Sequence, residues 1–134
     1  MFQSRKLILK FIDQLKEIYN IDETQVYLCG FSQGAIMSYS LGLTSPDKVR
    51  GMAIMSGRLL EEVKPQIVKS EQLQRLNVFI SHGTKDNVLD IHYARESNAY
   101  LKSLGINTEY KEYADGHTIN QEMLADLVRW LSKI

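Results

Sequence analysis

The sequence predicts an α/β protein built on a mainly parallel sheet with helices on both faces, and three observations predict it. Amphipathic helical stretches alternate with short apolar strands along the chain, the pattern that parallel sheets leave in a sequence. A G-x-S-x-G pentad, Gly30-Phe31-Ser32-Gln33-Gly34, stands where one of those strands gives way to a helix. Ser32, Asp86 and His117 each fall at a strand exit, where open parallel sheets gather binding and catalytic groups.

In chain order, Leu7, Ile8, Phe11, Ile12, Leu15, Ile18 and Tyr19 recur every three or four residues with charged and polar residues between them. This predicts a helix with one buried stripe. Asn20 is suited to close it in a left-handed conformation, and Ile21-Asp22-Glu23-Thr24 turns the chain into a strand over Gln25 to Cys29. In the pentad that follows, a side chain at Gly30 or Gly34 would collide across the tight strand-to-helix crossing. Along the next helix, which stops at Pro46, Gly34, Ser38 and Gly42 predict a small-residue face that lies close on a sheet. Val49 to Met55 reads as a second strand, Glu61 to Leu76 as a polar helical region and Asn77 to Ser81 as a third strand. A helix from Ile91 to Leu104 ends at Gly105, the alternating strand Asn107 to Tyr113 follows, and a last helix runs from Asn120 to Ser132. Thr118 and Gln121 are its expected capping box, and Leu124, Leu127, Val128 and Leu131 its apolar face. No repeat or linker interrupts this order, so residues 1–134 read as one domain.

With 134 residues and 44% hydrophobic content, the chain has material for one packed core. Its sixteen basic and sixteen acidic residues cancel, which removes the electrostatic case for binding nucleic acid or an acidic membrane surface. No apolar run reaches the roughly 18 residues of a membrane helix, and the first residues lack the apolar region of a signal peptide. Cys29, the single cysteine, cannot form an intramolecular disulfide and reads as a small core residue. That usage fits a reducing, cytoplasmic compartment. One cysteine and three scattered histidines lack the close spacing of zinc ligands, so no metal is expected.

The pentad is the sequence of a nucleophile elbow, a turn so sharp that the serine is strained and its hydroxyl points out of the sheet. Ser32 is therefore the candidate nucleophile. A neutral hydroxyl attacks poorly unless a base takes its proton, and His117, on the loop between the last strand and the last helix, is the candidate base. Asp86, in the loop after the third strand, is the candidate partner that fixes the tautomer of that base. Asp90 and Asp115 compete for this role, but Asp90 is better placed to cap a helix and Asp115 lies only two residues from His117. His82 is expected to shape the acid loop, and His92 to lie exposed in the first turn of a helix. The backbone amide of Gln33, directly after the nucleophile, is the expected oxyanion-hole donor.

The runs IDETQVYLCGFSQGAIMSYSL, SHGTKDNVLD and YADGHTINQEMLADLVRWL together resemble the phospholipase/carboxylesterase family of α/β-hydrolases, the group that includes the acyl-protein thioesterases. The resemblance covers nearly the whole chain and implies hydrolysis of carboxylic esters or thioesters through an acyl-enzyme on Ser32, with no cofactor and no metal. Leu89-Asp90 stands where the family usually has a proline after the acid loop. The family also carries a strand and an H-G-x-G type loop ahead of the first helix, which supply a second oxyanion donor. The resemblance is thus to the C-terminal portion of a member, an α/β-hydrolase fold lacking its N-terminal strands. Losing one oxyanion donor typically costs about 2.7 to 4 kcal/mol in the barrier. The alternative reading is therefore an impaired or non-catalytic fragment acting through self-association. A strand left as an apolar sheet edge at Gln25 to Cys29 predicts a homodimer.

Overall fold

A computed structural model describes residues 2–134. The elements follow in the order α1 (Phe2–Ile18), β1 (Tyr27–Phe31), α2 (Gln33–Thr44), β2 (Gly51–Met55), a 3-10 turn (Glu61–Gln66), α3 (Glu71–Gln74), β3 (Asn77–Gly83), α4 (Ile91–Ser103), β4 (Asn107–Tyr113) and α5 (Gln121–Lys133). The strands form one sheet in the order β1-β2-β3-β4. Every pair is parallel, with Tyr27 opposite Gly51, Gly51 opposite Asn77 and Asn77 opposite Asn107. All carboxyl ends therefore point to one side of the sheet.

Alternation along the central strand divides the core between two faces, because successive side chains of a strand point opposite ways. Met52 and Ile54 pack with Tyr39, Leu41, Leu73 and Leu101 from α2, α3 and α4. Ala53 and Met55 pack on the other side with Phe79 and with Leu127 and Trp130 of α5. Helices thus cover both faces, as the sequence predicts. No helix among the described residues is long and apolar enough to cross a membrane.

Several local expectations give way to tertiary context. The first strand extends to Phe31, so Gly30 and Phe31 stay in the ladder opposite Ile54 and Met55 and the turn falls on Ser32 alone. The third strand likewise runs on to Gly83 and takes in His82. Asn20 is not left-handed; among the described residues positive φ occurs at Ser32, Ser56 and Gly105. Gly105 does close α4 at φ 79°, with the Ile106 amide donating back to the Leu101 carbonyl. Residues 61–76 give only a 3-10 turn and one turn of α-helix, since Pro65 removes an amide donor in the middle of the stretch. The cap of α5 is Asn120, whose side chain accepts from the Met123 amide. Its buried residues are Met123, Leu127 and Trp130, whereas Leu124 and Val128 are exposed.

The edge position of β1 explains the remaining differences. Cys29 is exposed, because α5 lies over β2 and β3 and leaves the outward side of the edge strand uncovered. Helix α1 buries Ile12, but Leu7, Phe11 and Ile18 are 68%, 58% and 71% exposed. In α2, a Cβ at Gly42 would press on Met52, whereas Gly34 faces open space and does not lie on the sheet. Gly30 fits the expectation, since a Cβ there would collide with the Gly34 backbone.

The two pentad glycines should accordingly respond differently to alanine. Gly30→Ala forces the β1–α2 crossing apart and is expected to destabilise by about 1–3 kcal/mol, the usual range for overpacking. Gly34→Ala meets nothing within 4 Å and should leave stability unchanged or improve it through helix propensity by up to about 1 kcal/mol. Urea denaturation followed by circular dichroism distinguishes the two outcomes.

Candidate active site

Ser32 stands between β1 and α2 at φ 57° and ψ −113°, a backbone conformation that is neither helical nor extended. Its amide donates to the Met55 carbonyl at 2.9 Å, so the neighbouring strand holds the turn in place. Gln33 then opens α2, and no side chain caps the amides of that first turn. A helix N-terminus with free amides carries partial positive charge, which suits a developing oxyanion.

Asp86 and His117 lie on neighbouring loops that continue the β3–β4 pairing past the ends of the strands. The Thr84 amide donates to the Tyr113 carbonyl at 2.7 Å and the Lys85 amide to the Asp115 carbonyl at 3.0 Å. Gly83 permits this approach, since a Cβ there would collide with the carbonyls of Asp115 and Gly116. One carboxylate oxygen of Asp86, Oδ1, accepts from the Val88 and Leu89 amides at 2.9 and 2.8 Å. The other, Oδ2, lies 2.7 Å from His117 Nδ1, and His117 Nε2 lies 3.0 Å from Ser32 Oγ. A carboxylate can only accept, so Nδ1 carries the proton and Nε2 presents its lone pair to the serine hydroxyl.

Burial by itself would push the Asp86 carboxyl up. The Leu89 amide, the His117 ring and the Val88 amide together outweigh it and hold the group below the usual carboxylate range. The residue is therefore ionised at neutral pH despite a side chain with no exposure. The rival acids are occupied elsewhere. Asp90 accepts from the His92 amide at the start of α4, and Asp115 accepts from the Gly116 amide and the Asn120 side chain. His92 is exposed, as expected, whereas His82 is wholly buried beneath the acid loop.

The structure thus brings Ser32, Asp86 and His117 together and places the Gln33 amide at the same turn. Sequence reasoning missed Phe31, whose ring lies 4.9 Å from the His117 ring, centroid to centroid. Strand alternation could have found it, had the strand been carried through to residue 31. An apolar groove of about 240 Å³ also opens beside the elbow, lined by Ile8, Leu28, Cys29, Met37 and Leu41 among others. It follows from the uncovered edge of β1, which local sequence does not encode.

Comparison with known proteins matches residues 2–134 to the family described as phospholipase/carboxylesterase. A probable carboxylesterase, SOBER1-like, of Arabidopsis thaliana is 29% identical over 84% of this chain and 44% of its own length. Acyl-protein thioesterase 1 of Kluyveromyces lactis is 32% identical over 97% of this chain and 58% of its own length. Among solved structures, Arabidopsis thaliana SOBER1 superposes with a TM-score of 0.85 at 25% identity, covering 98% of this chain and 63% of that one. Esterase PE8 does so with a TM-score of 0.84, covering 60% of its chain. These α/β-hydrolase structures share the fold described above, and the chain spans about half the length of the curated relatives it matches.

The depressed Asp86 ionisation makes a linkage prediction. A carboxyl held below its unfolded value of about 3.9 adds stability above that pH and loses it as pH falls through the native value. Stability by urea denaturation should therefore fall below about pH 4. Asp86→Asn should be less stable at neutral pH and show a shallower acid slope; an unchanged slope would mean that Asp86 contributes nothing to it.

Proposed function

This chain belongs to the phospholipase/carboxylesterase family, and from that premise we propose that it cleaves carboxylic esters or thioesters through an acyl-enzyme on Ser32. The observation that carries the reading is the continuous relay from the Ser32 hydroxyl through the His117 imidazole to the buried Asp86 carboxylate, at 3.0 and 2.7 Å. In this reading Ser32 Oγ attacks the acyl carbon while its proton passes to His117 Nε2. Asp86 keeps the resulting imidazolium oriented and balances its charge. The Gln33 amide donates to the tetrahedral oxyanion. Collapse expels the alcohol or thiol with the proton from Nε2. Water then attacks the acyl group by the same steps and releases the acid. The chemistry calls for neither cofactor nor metal. The lone Cys29 is consistent with a cytoplasmic setting.

A second reading keeps the constellation but not turnover. It is favoured by the elbow itself supplying one oxyanion donor, the Gln33 amide, where acyl transfer is served best by more than one. Labelling by a fluorophosphonate probe separates the two, since it requires an activated serine. Labelling should occur, vanish in Ser32→Ala and fall about a hundredfold or more in His117→Ala, within the range general base catalysis supplies. Hydrolysis of short nitrophenyl esters should likewise be lost in Ser32→Ala. Labelling that persists in Ser32→Ala would sink the assignment.

The open side of the sheet supports a homodimer. Among the described residues strand β1 has no neighbour on one side; Cys29 on this strand is exposed, as are Leu7, Phe11 and Ile18 of α1. On the other face Leu124 and Val128 of α5 are exposed, while the opposite flank of that helix pairs Arg129 and Lys133 with Glu109 on β4. The β4 edge is guarded by charge and the β1 edge is not, so a closed two-fold pairing of β1 with its own copy is preferred to an open filament. Sedimentation at micromolar concentration should show a dimer, and Cys29→Lys should dissociate it. A wild-type monomer would rule the homodimer out.

A further inference from the structure

His82 is the wholly buried histidine at this end of the molecule, and the relay described above does not use it. Its side chain has no exposure. Nε2 lies 2.7 Å from the Leu89 carbonyl and 3.4 Å from Asp86 Oδ2, while Nδ1 is buried without a partner. A carbonyl accepts only, so the proton sits on Nε2 and Nδ1 is a bare acceptor. In the other tautomer the Nδ1 proton would be buried with no acceptor and the Nε2 lone pair would face the Leu89 carbonyl, which selects the Nε2–H tautomer.

Leu89 is the residue this bond grips, and Leu89 also donates its amide to Asp86 Oδ1 at 2.8 Å. The same short turn is closed by the Val88 amide on Oδ1 and by the Asp86 amide on the Gly83 carbonyl. A side chain rooted in β3 is thereby tied to the far end of the turn that begins at Asp86. With Oδ1 occupied by two amides, only Oδ2 remains for His117, and His82 Nε2 lies 3.4 Å from that same oxygen. The ring therefore restricts both the rotation of the carboxylate and the position of the turn that carries it.

Resting on the hydrolase reading, we infer that His82 is a positioning residue: as a neutral Nε2–H donor to the Leu89 carbonyl, it fixes Asp86 Oδ2 at bonding distance from His117 Nδ1. It touches neither substrate nor nucleophile. Its effect reaches the reaction through the orientation of Asp86, and so through the support Asp86 gives to the imidazolium. A buried histidine that served packing alone could be exchanged for an apolar ring without change at His117.

The test compares His82→Gln, which retains an N–H donor near the position of Nε2, with His82→Phe, which fills the space without one. His82→Met, apolar and flexible, replaces the phenylalanine variant if that fails to fold by circular dichroism. The first readout needs no turnover: the downfield proton resonance of the Nδ1–H held between His117 and Asp86, identified by its loss in Asp86→Asn. It should be present in wild type and His82→Gln and lost in the apolar variant. The second readout is kinetic. The apolar variant should lose about ten- to a hundredfold in kcat at unchanged KM, the scale of a small misplacement of a catalytic group. The acidic limb of its pH–rate profile should move to lower pH, and His82→Gln should restore both. An apolar variant that keeps the resonance, or a wild type that never shows it, overturns the inference. Failure of wild type to label at Ser32 overturns the hydrolase reading instead, and the resonance still decides the role of His82.

Discussion

The arrangement of the candidate site depends on one backbone interaction: the pairing of β3 with β4 does not stop where the strands stop. The amides of Thr84 and Lys85 reach the carbonyls of Tyr113 and Asp115, and Gly83 passes beneath the Asp115–Gly116 peptide, where no side chain could fit. Asp86 and His117 are 31 residues apart in sequence, and side-chain contacts alone would hold them weakly against the entropy of two flexible loops. Sharing hydrogen bonds between the loop backbones removes most of that freedom before the side chains meet. The 2.7 Å contact between them is thus a consequence of strand register.

Strain is placed on the other half of the site. Ser32 and Ser56 are the non-glycine residues with positive φ among those described, and each directly follows one of two paired strand ends, Phe31 and Met55. Holding a non-glycine residue in such a sparsely populated backbone conformation costs roughly 1–3 kcal/mol. Each serine amide bonds to the next strand, Ser32 to Met55 and Ser56 to Ser81. At Ser56 the turn lets Gly57 slip under Ala35 of α2, where a Cβ would collide. The helix that carries Gln33 is thus seated by close contact on both sides, at Gly30 and at Gly57. The geometry around the serine hydroxyl is set by sterics that do not depend on a ligand.

The two edges of the sheet have unlike chemistry. Beside β4, Glu109 and Glu112 are engaged by Arg129, Lys133 and Arg95, and Arg95 with Tyr110 holds Glu112 at about 2. Along β1, Cys29 and Phe31 are exposed, and Leu7, Phe11 and Ile18 of α1 are exposed as well. Helix α1, amphipathic though its sequence is, fully buries Ile12 and leaves Leu7, Phe11 and Ile18 exposed. Its apolar residues outnumber what the α2 side of the molecule can cover, and an apolar stripe is buried only where another layer meets it.

By itself the sequence determined the alternation of helices and strands, the elbow at Ser32 and the order in which serine, acid and histidine follow. Each of these is local: periodicity, glycine chemistry and turn signals act over a few residues. Tertiary structure alone decided which apolar residues are buried, because Cys29, Leu124 and Val128 have the right character for a core and no layer above them. It also decided that β1 and β3 run on through Phe31 and His82, since a strand ends where its neighbour ends and not where its own propensity does. The place of His82 beneath the acid loop was decided in the same way. Its neighbours in sequence predict a strand exit, but only the crossing of the Asp86–Leu89 turn over the end of β3 puts a carbonyl within 2.7 Å of its ring.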